Sequence, residues 1–252
     1  MANLKVNKDV IPDIKLMIFD KDGTLTELYH YWSQMVGLRA KLICEKFGLD
    51  AMHEKNLAYE MGADFEKGRL RPHGPVGLKK REVVLKAAVD YVANMGFRDA
   101  YHVCFDVFKE VDEISSLNLG QFLKPIKGAV ELIDVATAKG CRIAIATTDR
   151  SERAKLATEF LGFSDKIDFI IGADSVSNPK PDPEQIYMTL DTLKIDPLNA
   201  VMVGDALTDV QMAVNAGLKA SIGVLTGFAT LEELKAITHY VVKDVSEIEV
   251  LN

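Results

Sequence analysis

Long apolar runs are missing from this 252-residue chain. None approaches the roughly 20 consecutive residues that a bilayer-spanning helix requires, so no membrane partner is expected. The first thirteen residues hold no apolar stretch behind their lysines, which argues against a secretion signal. Cysteine is scarce and odd in number, with Cys44, Cys104 and Cys141 far apart in apolar surroundings. A disulfide framework or thiolate metal site is therefore not expected, and reduced, buried thiols in a cytoplasmic protein are. Basic side chains are neither clustered nor in excess: 30 Lys and Arg face 37 Asp and Glu, a formal charge of −7. A phosphate backbone demands the opposite balance, so nucleic acid is not expected as a partner. There is no internal repeat and no low-complexity tract.

What is present is an ordinary globular composition, 48% apolar and 27% charged, long enough for a core plus an inserted module. Residues 26–124 carry equal numbers of acidic and basic side chains, so the rest of the chain holds the entire negative excess. The second half alternates helix and strand. Ala129–Ala138 reads as a helix, Cys141–Ala146 as a strand, Ser151–Leu161 as a helix and Phe169–Ile171 as a strand. Pro183–Leu193 is a further helix, Ala200–Val203 a strand, Val210–Ala216 a helix and Ser221–Val224 a strand. Continuous apolar strands separated by amphipathic helices predict a parallel sheet covered on both faces. Leu16–Phe19 is an earlier strand of the same kind. The fold expected is α/β, a Rossmann-like doubly wound parallel sheet interrupted by an α-helical module. The core spans residues 1–26 and 124–252. The insertion spans 27–123, where strand signals give way to helical patterns over Trp32–Phe47, Leu49–Met61, Lys79–Met95 and Ala100–Val111. Between the second and third of these lies a loop rich in breakers, Lys67 to Pro75.

In such sheets ligands gather beyond the carboxyl ends of the strands, and four polar clusters stand at those ends. Asp20 and Asp22 follow Leu16–Phe19, with Gly23 permitting a sharp turn. Thr147, Thr148 and Asp149 follow Cys141–Ala146. Lys180 sits in the proline-flanked segment Asn178 to Pro183. Asp205 and Asp209 follow Ala200–Val203. Each has a bland reading alone: a threonine pair caps helices, a lysine among prolines makes a surface turn, and an acid one helical turn on is often merely solvated. Gathered on one sheet edge, they supply a nucleophile, a proton carrier, a hydroxyl, an ammonium and metal-binding carboxylates, the parts of a phosphoryl-transfer site.

The segment Asp-Lys-Asp-Gly-Thr-Leu at 20–25, Thr147, Lys180 and Gly-Asp-x-x-x-Asp at 204–209 resemble, in order, the four motifs of the haloacid dehalogenase superfamily. The likeness is greatest to its phosphoglycolate phosphatase and β-phosphoglucomutase branch, in which a helical cap occupies the position of residues 27–123. The resemblance implies a Mg²⁺-dependent phosphatase acting on a small phosphorylated metabolite through an aspartyl-phosphate on Asp20, with Asp22 as general acid and base. A sugar-phosphate mutase is the alternative. It further implies Mg²⁺ held by Asp20, the backbone carbonyl of Asp22 and Asp205, with Asp209 behind them. Thr147, Thr148, Lys180 and Gly23 would bind phosphate. Thr148 and Asp149 stand where that branch often has Asn and Lys. An acid at Asp22 sets the chain apart from the dehalogenases, phosphonatases and transport ATPases of the superfamily. Thr24, Tyr29, His30, Arg69 and Arg71 are candidates for substrate contact; the alternative readings are that Tyr29 and His30 anchor the first inserted helix and that Arg69 and Arg71 lie in a solvated loop. A signalling receiver domain shares strand-end acids, a Thr and a Lys, but is about half this length and spreads its acids over different strands. A monomer or a homodimer is compatible with all of this.

Overall fold

The computed structural model describes residues 1–251. The chain opens with strands β1 (Ala2–Val6), β2 (Asp9–Ile14) and β3 (Leu16–Phe19). Helices α1 (Leu28–Phe47) and α2 (Ala51–Met61) follow, then a short hairpin, β4 (Ala63–Asp64) and β5 (Arg69–Leu70). Helices α3 (Arg81–Ala93), α4 (Ala100–Leu117) and α5 (Leu119–Phe122) come next. Alternation then sets in: α6 (Ala129–Ala138), β6 (Arg142–Ala146), α7 (Ser151–Leu161), β7 (Phe169–Ile171), α8 (Glu184–Leu193) and β8 (Ala200–Gly204). It closes with α9 (Leu207–Asn215), β9 (Ala220–Val224), α10 (Leu231–Lys235), β10 (Tyr240–Val242) and β11 (Ile248–Leu251). Among the described residues no helix is long and apolar enough to cross a membrane.

The chain packs as two compact units. One comprises residues 1–28 and the chain from Pro125 onward; the other is Tyr29–Lys124. In the first, six parallel strands run in the order β10-β9-β8-β3-β6-β7. Strand β3 lies inside, with Phe19 opposite Ile145 on one side and Val203 on the other. All four of its residues are buried, as expected of a strand covered on both faces. Side chains alternate between faces. Met17 and Phe19 join Ile143, Ile145, Val201 and Val203 against Leu132 and Ile133 of α6. Leu16 and Ile18 join Ala144, Ala146 and Met202 against Ile186 of α8 and Met212 of α9. Both layers end together at the carboxyl edge, which brings Asp20, Thr147 and Asp205 to one rim.

A second, antiparallel sheet of order β11-β1-β2 completes this unit. No strand before Leu16 is expected from the sequence; Pro12 interrupts the apolar residues of β2, and Asn7 makes the connecting turn with φ +58°. Strand β10 is likewise absent from the sequence expectation.

The second unit is helical apart from the β4–β5 hairpin, which corrects the expectation that residues 27–123 contain no strand. Two residues per strand are too few to leave a pattern in sequence. Helix α2 begins where Asp50 accepts from the Met52 and His53 amides and ends at Gly62, φ +114°. One part-buried carboxylate, Asp112 of α4, receives Arg39 of α1 (3.0 Å) and Arg81 of α3 (2.9 and 3.1 Å). Both guanidiniums also lie over the Phe108 ring. The three cysteines are unpaired and buried.

Candidate active site

The turn after β3 winds round one backbone oxygen. The Lys21 carbonyl accepts from the amides of Leu25 (2.9 Å) and Thr26 (3.0 Å), and the Gly23 amide donates to the Thr26 carbonyl (2.7 Å). This draws Asp20, Lys21 and Asp22 into a tight, buried loop. Gly23 has φ +99°, and a Cβ there would lie 2.5 Å from the Asp205 carboxylate, so only glycine fits. A Cβ on Gly227 would fall inside the Asp205 carboxylate itself.

Lys180 unites the other clusters. Its ammonium donates to Asp20 Oδ1 (2.7 Å), to Asp209 Oδ1 (2.6 Å) and to the Ala146 carbonyl (2.8 Å). The loop carrying it is tethered by Glu184, whose carboxylate accepts from the Ser177 (3.1 Å) and Asn178 (2.8 Å) amides. Asp209, in the first turn of α9, also accepts from the Ala206 amide (3.0 Å). Thr147 accepts from the Asp149 amide on Oγ1 (3.1 Å), and Gln185 Nε2 donates to its carbonyl (2.9 Å). Carboxylate oxygens of Asp20, Asp205 and Asp209 all lie within 4.8 Å of one another.

Burial sets the electrostatics. It pushes the Asp20 carboxyl up to about 7, against the pull of Lys180 and with the neighbouring Asp209 adding to it. Burial also drives Asp205 well above the usual carboxylate range, helped by Asp20 and Asp209. Lys180 is raised: burial opposes its charge, but Asp20 and Asp209 outweigh it. Three buried carboxyl groups against one ammonium carry an excess of two negative charges once all are ionised, and burial resists that ionisation. An all-oxygen donor set of that charge, without His or Cys, fits a hard divalent cation such as Mg²⁺. The Gly23 and Gly227 cradle keeps the space beside Asp205 clear.

Of the residues predicted from sequence, Asp20, Lys180, Asp205 and Asp209 converge directly, with Asp22, Gly23 and Thr147 on the same rim. Asp209 holds Lys180, and its carboxylate also lies within 4.8 Å of those of Asp20 and Asp205. Thr24 is turned to Asp205 Oδ1 (3.2 Å). Thr148 is half-buried beside Thr147. Tyr29, His30, Arg69 and Arg71 belong to the helical unit. There His30 Nε2 meets the Gln121 carbonyl (3.0 Å), and Arg71 donates to the Tyr59 carbonyl (2.8 Å) with its guanidinium over that ring. Arg69 is exposed on β5. Burial, with Asp64 adding to it, raises the Tyr29 phenol.

Sequence reasoning missed four participants. Lys21, hidden within the Asp-Lys-Asp motif, is buried and donates to Asp22 Oδ1 (2.5 Å). Gln185 and Glu184 directly follow the proline-rich segment, which was the available signal. Gly227 lies 22 residues beyond Asp205, in a stretch with no motif.

The model of the haloacid dehalogenase-like hydrolases matches residues 14–217. A phosphoglycolate phosphatase of Aquifex aeolicus is 23% identical over 86% of this chain and 88% of its own length. A protein of Dickeya dadantii named "Probable phosphatase IndB" is 37% identical over 46% of this chain. That match spans 50% of the relative, about half its length. A solved structure from Haemophilus somnus, described as a "predicted phosphoglycolate phosphatase", superposes with a TM-score of 0.72 at 18% identity, covering 94% of this chain and 97% of that one.

Proposed function

The chain belongs to the haloacid dehalogenase-like hydrolases, and from that membership we propose that it is a Mg²⁺-dependent phosphatase of a small phosphomonoester. The single observation that carries the reading is the Lys180 ammonium, shared at 2.7 and 2.6 Å between Asp20 and Asp209 in a buried cluster that includes Asp205. Asp20, Lys180, Asp205 and Asp209 thus form one buried cluster in which a fixed ammonium faces three carboxyl groups.

Asp20 is the nucleophile. One of its carboxylate oxygens attacks phosphorus as the ester oxygen departs, giving an aspartyl-phosphate. Asp22 delivers the proton to the departing alcohol oxygen and is left ionised. It then removes a proton from the water that attacks phosphorus, releasing inorganic phosphate and regenerating Asp20. Lys180 and the Thr147 hydroxyl hold the equatorial phosphoryl oxygens as charge shifts onto them. Asp20, Asp205 and Asp209, with the Asp22 carbonyl, would hold Mg²⁺, which when bound neutralises the carboxylates and phosphoryl oxygens. Relatives named as phosphoglycolate phosphatases and pyrophosphatases support phosphorylated metabolites as substrates.

The test is a phosphate-release screen with Mg²⁺ over sugar phosphates, phosphoglycolate, nucleotides and amino-acid phosphates, with Asp20→Asn alongside. We expect release from at least one ester and a loss of about a thousandfold or more in Asp20→Asn. Folded, Mg²⁺-binding protein that releases nothing from any ester would sink the proposal. Turnover that appears only when a sugar bisphosphate is added would point to a mutase instead.

A further inference from the structure

Lys21 is a charged side chain with only 2% of its surface exposed, placed between the proposed nucleophile and the proposed proton carrier. Burying an ammonium is costly unless it is well paired. Its Nζ donates to Asp22 Oδ1 at 2.5 Å and lies 3.4 Å from Asp149 Oδ2, which faces Arg153 Nε at 3.8 Å from the other side. Thr26 Oγ1 donates to the same Asp22 oxygen at 3.0 Å. Two donors, one of them charged, therefore converge on Oδ1 of a buried carboxylate.

We propose that Lys21 is a positioning residue for Asp22: with Thr26 it occupies Oδ1, so that Oδ2 is the oxygen that carries the proton to the leaving group. Asp149 anchors Lys21 in turn, which gives the acid found after Thr147 and Thr148 a purpose. This rests on the reading of Asp22 as general acid. In the step concerned, the bond from phosphorus to the ester oxygen breaks while Asp20 bonds to phosphorus. The proton on Asp22 Oδ2 passes to the departing oxygen. A carboxyl free to rotate would present the wrong oxygen for part of the time, and misplacement of about 1 Å in such a transfer costs up to about a hundredfold.

The test uses kcat/KM, which reports steps through departure of the alcohol, for substituted phenyl phosphates from p-nitrophenyl to p-methoxyphenyl. The p-nitrophenolate leaves with little help from a proton, whereas p-methoxyphenolate needs more. Lys21→Met should lose about threefold or less on p-nitrophenyl phosphate and about tenfold or more on p-methoxyphenyl phosphate. Lys21→Arg, which keeps a charged donor, should recover most of that difference. Adding Lys21→Met to Asp22→Asn should change kcat/KM less than about twofold, because the two act as one unit. Lys21→Met/Asp149→Asn removes the facing carboxylate together with the ammonium, and provides the same comparison should the single variant unfold. An equal loss across the series, or additive losses in the double variant, would overturn the positioning role. If Asp22→Asn itself leaves the series unchanged, the general-acid reading of Asp22 falls, and this inference falls with it.

Discussion

Single residues decide this site through very small volumes. Gly227 has no motif around it, yet a methyl group there would occupy the space of the Asp205 carboxylate. Gly227→Ala should therefore swing Asp205 away while leaving both core layers intact. We expect Mg²⁺ affinity to fall about tenfold or more, read by titration calorimetry, with near-wild-type circular dichroism. Unchanged affinity would show that Asp205 does not hold the cation. The same scale explains what was legible in the sequence. Asp20, Asp22, Thr147, Lys180, Asp205 and Asp209 were legible because each follows an apolar strand or a breaker-rich segment. Gly227 and Gln185 act by contacts that form only on folding. Lys21 was masked by an apparent order in which only the two flanking acids counted.

Elements position those residues, and two of them do so by means that can be measured. Helix α8 begins with Glu184, whose carboxylate gathers the Ser177 and Asn178 amides and so fixes the loop that ends in Lys180. Those backbone donors, Asn178 foremost, hold the Glu184 carboxyl below its usual range. A group of this kind contributes stability above its unfolded pKa and loses it as pH falls through the lower folded value. Glu184→Ala should thus lower kcat about tenfold while Mg²⁺ affinity stays within about twofold, and its stability deficit should vanish in acid. In the helical unit, Asp112 ties α1, α3 and α4 together. Asp112→Asn leaves the buried Arg39 guanidinium uncompensated, and a loss of about 3 kcal/mol is expected in urea unfolding. A cost below about 1 kcal/mol would mean that the Phe108 ring alone sustains Arg39. Strands β3, β6, β7, β8 and β9 of the central sheet are readable because burial on both faces demands continuous apolar runs, whereas the edge strand β10 is not. Nor are strands β1, β2 and β11, because a short antiparallel sheet carries polar and proline residues that mimic loops.

For the whole molecule, the cluster of buried carboxyl groups ties stability to pH and, under the proposed function, to Mg²⁺. Burial pushes the Asp20 carboxyl from its ordinary value of 3.8 up to about 7 in the folded protein. Folded protein therefore holds a proton that unfolded protein has released between those values, and metal-free stability must fall as pH rises from about 4 to 7. Above that window the contribution is constant. The melting temperature in a chelator should decline across it, Asp20→Asn should lessen the decline while leaving the part due to Asp205, and Mg²⁺ should stabilise more at pH 8 than at pH 5.5. A Mg²⁺ shift independent of pH would refute the link between cation and carboxylates.

The pairing of Asn3 with Leu251 in the β11-β1-β2 sheet sets the two extremities of the described chain side by side. A bridge of a few glycines could close the polypeptide into a ring, and a fresh opening at the exposed Gly96 would then give a rearranged molecule with the same packing. Such a permuted protein should melt within a few degrees of its parent, and one that never folds would show that β1 must be made first. By the same geometry, the protein could be spliced into a surface loop of another as a cassette, entering and leaving its host at one point.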